Sequence, residues 1–96
     1  MKMVDTNIAG SSHHKGRSHI PMMRPGDPLT LIREPHNRFD RKAIAVYRGS
    51  AQLGYLPREM AAKIAIVMDC GVPVKAIKSS RSWGAILLEY EEQPYE

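Results

Sequence analysis

One segment of this 96-residue chain is regular enough to form a helix of ordinary length, and this limits the folds available to it. Pro57 suits the first position of a helix, because its missing N–H has no partner there. Gly71 suits a left-handed C-terminal cap, and Pro73 prevents continuation. The sequence therefore predicts one helix over residues 57–70. Its apolar face is formed by residues at helical spacing, namely Met60, Ala61, Ile64, Ala65, Val67 and Met68.

The other apolar runs are short and are separated by glycine, proline and polar turns, which is typical of strands. In the last run Ile86, Leu88 and Tyr90 alternate, so they share one face. Residues 15–28 contain five glycines and prolines and are predicted to be an irregular loop. The predicted strands are 4–14, 29–33, 43–47, 52–56, 72–79 and 83–90, with 43–47 and 52–56 paired as a hairpin.

Five or six strands with one helix cannot form a doubly wound sheet, which needs repeated crossover helices. The sequence predicts a mainly β fold with one or two helices, namely a small OB- or SH3-like barrel of five to six strands plus a helix near 57–70. We expect a disordered N-terminus over 1–3, one domain over 4–91 and a frayed acidic tail over 92–96.

Several classes of protein do not fit the sequence. No apolar run approaches the roughly 18 residues of a membrane span, and no secretory signal is apparent at the N-terminus, so a cytoplasmic location is expected. The single cysteine, Cys70, excludes an internal disulfide and is predicted to be buried at the helix end. No catalytic motif or phosphate-binding glycine loop is present. We therefore expect no enzyme activity, no cofactor and no small-molecule substrate. On a strand the adjacent His13 and His14 would point to opposite faces, so we expect no metal site either.

Positive charge is concentrated in the first half of the chain. Residues 1–48 hold nine Lys and Arg against four acids, whereas residues 49–96 hold five against six. Such an excess on a small body attracts polyanions, of which nucleic acid is the usual one.

The densest polar constellation is the segment 33–46, where basic and polar side chains surround one aromatic. Phe39 offers a π-face to a base, the cations neutralise phosphate, and Asn37 and Asp40 can bond sugar or base edges. An alternative is a structural turn, in which Asn37 and Asp40 bond their own backbone and Phe39 fills the core.

These residues carry a resemblance to the HIRAN domain, which extends over about residues 4–90. The matching motifs are Ile8-Ala9-Gly10, then Arg33-Glu34-Pro35-x-Asn37-x-Phe39-Asp40-x-x-Ala43-Ile44-x-Val46, then Gly54-Tyr55-Leu56-Pro57-Arg58 with Ala61 and Ile64-Ala65. The family includes stand-alone bacterial proteins and N-terminal modules of Swi/Snf-type repair translocases.

The resemblance implies an OB-like barrel that binds single-stranded DNA and, in the repair translocases, a free 3′-hydroxyl end. It implies that Asp40 accepts a hydrogen bond from the terminal hydroxyl and that Asn37 holds the last sugar and phosphate. Phe39 matches an aromatic, usually Tyr, that packs on the terminal nucleotide.

The resemblance also implies a rim around this pocket. Arg58 matches a basic residue that meets the DNA backbone, and Tyr55 lies beside it. Trp83 falls where the translocase domain has an aromatic that stacks on a base. Packing in the core is the alternative for Tyr55 and Trp83, because both side chains bury a large area.

The chain departs from the translocase pattern after Gly10, where Ser12 and His13 replace an Arg and a Tyr. His13 can still stack on a base. Lys15 and Arg17 are close enough in sequence to replace the lost charge. The remaining candidate phosphate contacts are Arg38 and Lys42.

We therefore expect a non-catalytic module that binds single-stranded DNA or DNA 3′ ends during replication or repair, alongside a separately encoded helicase or nuclease. The alternative is a protein-interaction adaptor that uses the barrel groove to bind a peptide or such a partner. The two differ in their response to salt, because phosphate contacts release counterions and an apolar groove does not.

Overall fold

The computed structural model describes residues 1–92, and the predicted tail over 92–96 lies outside them except for Glu92. Six antiparallel strands form one sheet in the order β1-β6-β5-β2-β3-β4. The elements are β1 (Lys2–Asn7), two 3₁₀ helices (Ser11–His13 and Lys15–Met22), β2 (Pro28–Arg33), β3 (Ile44–Arg48), β4 (Ala51–Tyr55), α1 (Arg58–Asp69), β5 (Lys75–Lys78) and β6 (Ala85–Tyr90).

The sheet curls so that the chain just beyond β1 reaches the edge strand β4. Just beyond β1, the amide of Ala9 donates to the carbonyl of Tyr55 at 2.7 Å, and the Tyr55 amide donates back at 2.9 Å. This single bridge joins the β1 edge to the β4 edge. The predicted mainly β, barrel-like fold with six strands is confirmed.

The core lies between the curled sheet and α1. The helix buries Ala61, Ile64, Ala65 and Val67, as its apolar spacing predicts. The strands contribute side chains that are at most 1% exposed, including Ile44, Val46, Leu53, Ile86 and Leu88. The predicted shared face of β6 is confirmed, because Ile86, Leu88 and Tyr90 are all buried.

Four local predictions are wrong. Residues 1–3 are not disordered, because Lys2 and Met3 pair with Tyr90 and Glu89 of β6. The first strand ends at Asn7 rather than at 14, since Gly10 takes a left-handed conformation (φ 68°) and a 3₁₀ helix follows. Residues 15–22 form a 3₁₀ helix rather than an irregular loop. Cys70 is exposed just after α1, because the apolar face of the helix turns away from it.

The longest helix among residues 1–92 has 12 residues, and none of the described helices has the length and apolarity for crossing a bilayer.

Candidate nucleic-acid interface

The loop 34–43, between β2 and β3, folds around the side chain of Asn37. Its Oδ1 accepts hydrogen bonds from the amides of Phe39 and Asp40 at 2.9 and 3.0 Å. Asp40 Oδ1 then accepts from the Lys42 amide at 2.9 Å. The structural-turn alternative is thus correct for these two side chains, which bond their own backbone as Asx turns do. It is wrong for Phe39, which is 87% exposed and does not fill the core.

Glu34 links this loop to the barrel. Its Oε1 accepts from Asn37 Nδ2 and from the Tyr55 hydroxyl, each at 2.9 Å. Burial raises the pKa of Tyr55, and the bond to Glu34 raises it further, so the hydroxyl remains a donor at neutral pH. Sequence analysis did not single out Glu34, although its spacing of three residues from Asn37 within the motif was a signal.

Arg33, at the end of β2, also holds the loop 34–43 in place through its guanidinium group. Its guanidinium donates to the carbonyls of Arg41 and Ala43 at 3.0 and 3.1 Å. It also forms a bidentate pair with Asp69 at the end of α1, at 2.9 and 3.0 Å. Hydrogen bonding from Arg33 lowers the pKa of the Asp69 carboxyl. The loop is therefore held by both the sheet and the helix.

These contacts create a cavity of about 260 Å³, which we call the carboxylate pocket. Its polar wall and apolar floor are formed by Asn37, Phe39, Asp40, Tyr55, Ala43, Leu56 and Ala61. Arg58, the first residue of α1, approaches Asp40 with Nε 3.6 Å from Oδ2 while its own side chain is 79% exposed. Five predicted site residues are thus brought together, whereas Arg38 and Lys42 are exposed on the loop and do not line the pocket.

Trp83 lies on a second surface, in the loop between β5 and β6. Its side chain is 49% exposed, so the core alternative is wrong. The Arg17 guanidinium carbon lies 5.5 Å from the centre of the indole ring, which is a cation–π contact. A cleft of about 450 Å³, the tryptophan cleft, is lined by Lys15, Arg17, Ser18, Pro21 and Trp83.

A buried lysine organises the loop that carries Trp83. Lys78 is only 6% exposed, and its ammonium donates to the carbonyls of Ser79, Ser82 (2.8 Å) and Ala85 (3.2 Å). Burial lowers the pKa of Lys78, while the three carbonyl oxygens favour its charged form. Local sequence pattern predicts only a strand residue here and does not reveal this role.

Replacing Lys78 by Met is expected to lower the free energy of unfolding by about 2 kcal/mol, because three carbonyls lose their donor. Urea denaturation measures the change. Lys75→Met is the matched control, since Lys75 is exposed on the same strand, and we expect it to stay within about 0.5 kcal/mol of the parent. Equal stability of the two variants would contradict the role given to Lys78.

His13 lies apart from the carboxylate pocket. It is exposed at the end of the first 3₁₀ helix, where it lines a further cavity with His14, Lys15 and His19. The expectation that His13 and His14 lie on a strand is wrong, because β1 ends at Asn7, six residues before His13. His14 instead packs edge-on against Tyr55, with ring centres 5.6 Å apart.

Fold and site together define a small antiparallel barrel that displays aromatic and cationic side chains around two pockets. The chain belongs to the HIRAN domain family, whose model matches residues 1–81. The resemblance carried by the sequence motifs is thus confirmed, and Trp83 lies just beyond the matched residues.

The chain is also similar to a small part of a much longer curated protein. A curated relative, the Fanconi-associated nuclease 1 homolog of Oryza sativa subsp. japonica, is 38% identical over 71 residues. The match covers 70% of this chain but only 7% of that relative.

Solved structures share the fold. The crystal structure of the human HLTF HIRAN domain has a TM-score of 0.78 at 19% identity, covering 92% of this chain and 74% of the other. A protein from Lactobacillus plantarum also has a TM-score of 0.78, at 24% identity, with 95% and 98% covered. The HLTF HIRAN domain in its DNA-bound conformation has a TM-score of 0.62 at 20% identity, with 92% and 71% covered.

Proposed function

We propose that this chain is a non-catalytic module that binds single-stranded DNA. The observation that carries the proposal is the position of Phe39, whose side chain is 87% exposed and lines the carboxylate pocket. A large aromatic ring in water stabilises nothing in the fold, whereas it offers a base a stacking surface. Trp83 offers a second such surface at the tryptophan cleft.

Cations accompany both aromatic rings. Arg58 lies beside the carboxylate pocket, and Lys15 and Arg17 line the tryptophan cleft. A cationic groove with stacking rings is the usual arrangement for binding a single strand without reading its sequence. In this proposal Lys15 and Arg17 supply the positive charge that is lost where Ser12 replaces the Arg of the translocase pattern.

Within this function, we propose that the carboxylate pocket recognises a free 3′-hydroxyl end. Oδ1 of Asp40 accepts a hydrogen bond from the Lys42 amide, while the contact described for Oδ2 is the ion pair with the exposed side chain of Arg58. A carboxylate oxygen accepts a hydrogen bond from a hydroxyl and repels a phosphate. Asn37, fixed by Glu34, lies at the same wall and would contact the terminal sugar and phosphate.

Names of the relatives support a role in DNA repair. One solved HIRAN domain is described in a DNA-bound conformation, and the curated relative is a Fanconi-associated nuclease homolog. The chain corresponds to a small part of that nuclease. We therefore propose that it presents DNA ends to a helicase or nuclease encoded separately, inside the cell.

Fluorescence anisotropy with a labelled single strand tests the proposal, using a 3′-hydroxyl and a 3′-phosphate form at two salt concentrations. We expect tighter binding to the hydroxyl form, with a log–log salt slope near −0.7 per neutralised phosphate. Equal binding of both forms would reject end recognition and leave a general single-strand binder. No binding at low salt would reject the proposal and favour the peptide-binding adaptor, whose apolar contacts respond weakly to salt.

A Phe39→Ala variant is expected to bind every strand about tenfold more weakly, because one stacked base is lost. The matched control is Ile66→Ala, since Ile66 is 50% exposed on α1 and lines neither pocket. Anisotropy measures both. Unchanged affinity in Phe39→Ala would remove the aromatic ring from the interface.

A further inference from the structure

The stretch before β2 is purely cationic. Residues 6–26 contain no Asp or Glu, but they contain Lys15, Arg17 and Arg24 and three of the four histidines. His13, His14 and His19 line one cavity of about 390 Å³ together with Lys15, and we call it the histidine cavity. We call residues 13–19 the histidine segment.

The histidine segment is held rigidly against the barrel. Gly16 is buried against the backbone of β4, where a Cβ would overlap the carbonyl oxygen of Gln52. Ile20, one position beyond the segment, is 1% exposed in the core. His14 is held by its edge contact with Tyr55. Packing therefore fixes the backbone of the segment at Gly16 and Ile20 and positions the imidazole of His14, as a binding surface requires.

Its position links the two pockets of the proposed interface. Tyr55 lines the carboxylate pocket and touches His14, which lines the histidine cavity. Lys15 lines both the histidine cavity and the tryptophan cleft. Through Tyr55 and Lys15 the histidine segment therefore adjoins both the carboxylate pocket and the tryptophan cleft, so a strand bound at both can run along it.

The charged groups around the segment are almost all basic. The segment itself contributes Lys15 and Arg17, and the β3–β4 hairpin contributes Arg48 as its one charged residue. The other groups that line the cavity, Ser50, Ala51 and Gln52, are uncharged. Among the described contacts, the acid linked to the segment is Glu34. It does not touch the segment itself but accepts a hydrogen bond from Tyr55, which contacts His14, and a second one from Asn37.

We propose that protonation of His14 and His19 makes the histidine segment an additional phosphate-binding subsite for the internal nucleotides of the bound strand. The proposal rests on the function proposed above. Histidine is the side chain that ordinarily gains its charge between about pH 8 and pH 5. Two imidazolium groups would add two ionic contacts to phosphate, whereas a neutral imidazole offers only an uncharged N–H donor.

No three His, Cys, Asp or Glu side chains within residues 1–92 are grouped as metal ligands. Because the segment faces solvent beside Lys15, the proposed ligand is the phosphate backbone itself.

The experiment compares binding of a 3′-hydroxyl strand of about twelve nucleotides at about pH 8 and about pH 6, at constant ionic strength. The parent protein is expected to gain about tenfold in affinity on acidification, and its salt slope should steepen by about 1.4 for two added phosphate contacts. A dinucleotide, which reaches only the carboxylate pocket, should show little change. These results together would support the subsite.

Variants assign the effect to its residues. His14→Gln with His19→Gln should abolish most of the gain in affinity on acidification. His19→Gln alone should remove about half of it, and circular dichroism at both pH values checks folding. His36→Gln, which removes the one histidine outside the segment, should keep the full gain.

Three outcomes would overturn the proposal. Strand binding that is equal at the two pH values would reject the subsite and leave the DNA-binding function standing. A gain that survives in the double variant would assign the protonation elsewhere and reject it too. Absence of strand binding at both pH values would reject the DNA-binding function and, with it, the subsite.

Discussion

Asp40→Asn is expected to bind 3′-hydroxyl and 3′-phosphate strands with nearly equal affinity, a loss of about 30-fold in preference for the hydroxyl. The carboxylate accepts a charge-assisted hydrogen bond worth about 1.5–3 kcal/mol and repels a terminal phosphate, and an amide does neither. Asn retains an acceptor oxygen for the Lys42 amide that Asp40 now bonds. Anisotropy with the two strands in parallel gives the ratio directly.

Two companion variants make this result specific. Glu59→Gln removes an exposed carboxylate next to Arg58 in the first turn of α1 and should leave the ratio unchanged. Arg58→Ala removes the cation 3.6 Å from Asp40, so it should weaken binding of both strands while raising the preference for the hydroxyl. A wild-type ratio in Asp40→Asn would remove Asp40 from end recognition.

Gly54→Ala is expected to lower the free energy of unfolding by about 3 kcal/mol. Gly54 has a φ of +156°, and a Cβ there would overlap the carbonyl oxygen of Ala9 and the side chain of Ile8. Overpacking of this kind costs about 1–3 kcal/mol, and the unusual backbone conformation adds to it. The same change pushes apart the Ala9–Tyr55 bridge that joins the two sheet edges. We therefore expect a lower free energy of unfolding, measured by urea denaturation, and weaker strand binding.

Gly84→Ala is the matched control for this substitution. A Cβ at Gly84 would lie 3.9 Å from the carbonyl oxygen of Ile8, which is ordinary contact, and its φ is not left-handed. We expect its stability within about 0.5 kcal/mol of the parent. If Gly54→Ala were equally stable, the barrel would not depend on the close approach at Gly54.

Local sequence pattern predicted the elements whose signals lie within a few residues. Pro57 and Gly71 predicted the two ends of α1 to within two residues of the observed ends, Arg58 and Asp69. The short hairpin of β3 and β4 followed from Gly49 between two apolar runs. Patterns failed between residues 8 and 22, where a 3₁₀ path depends on packing against β4 rather than on periodicity.

The candidate site shows the same division. Asn37, Phe39 and Asp40 were predicted from their chemistry and from the family motif, and the loop does bring them to one pocket with Tyr55. That Phe39 lies outside the core was undecided in the sequence, because a turn with an aromatic suits both a core and a surface position.

The sequence by itself determined the strand and helix content, the cationic first half and the residues of the central motif, because these depend on neighbours along the chain. Only the tertiary structure decided which distant groups support them. Arg33 meets Asp69 across 36 residues, and Tyr55 meets Glu34 across 21. Lys78 satisfies three carbonyls of its own loop only because the fold buries it. Hydrogen bonds and burial of this kind arise when the barrel curls, so no local pattern contains them.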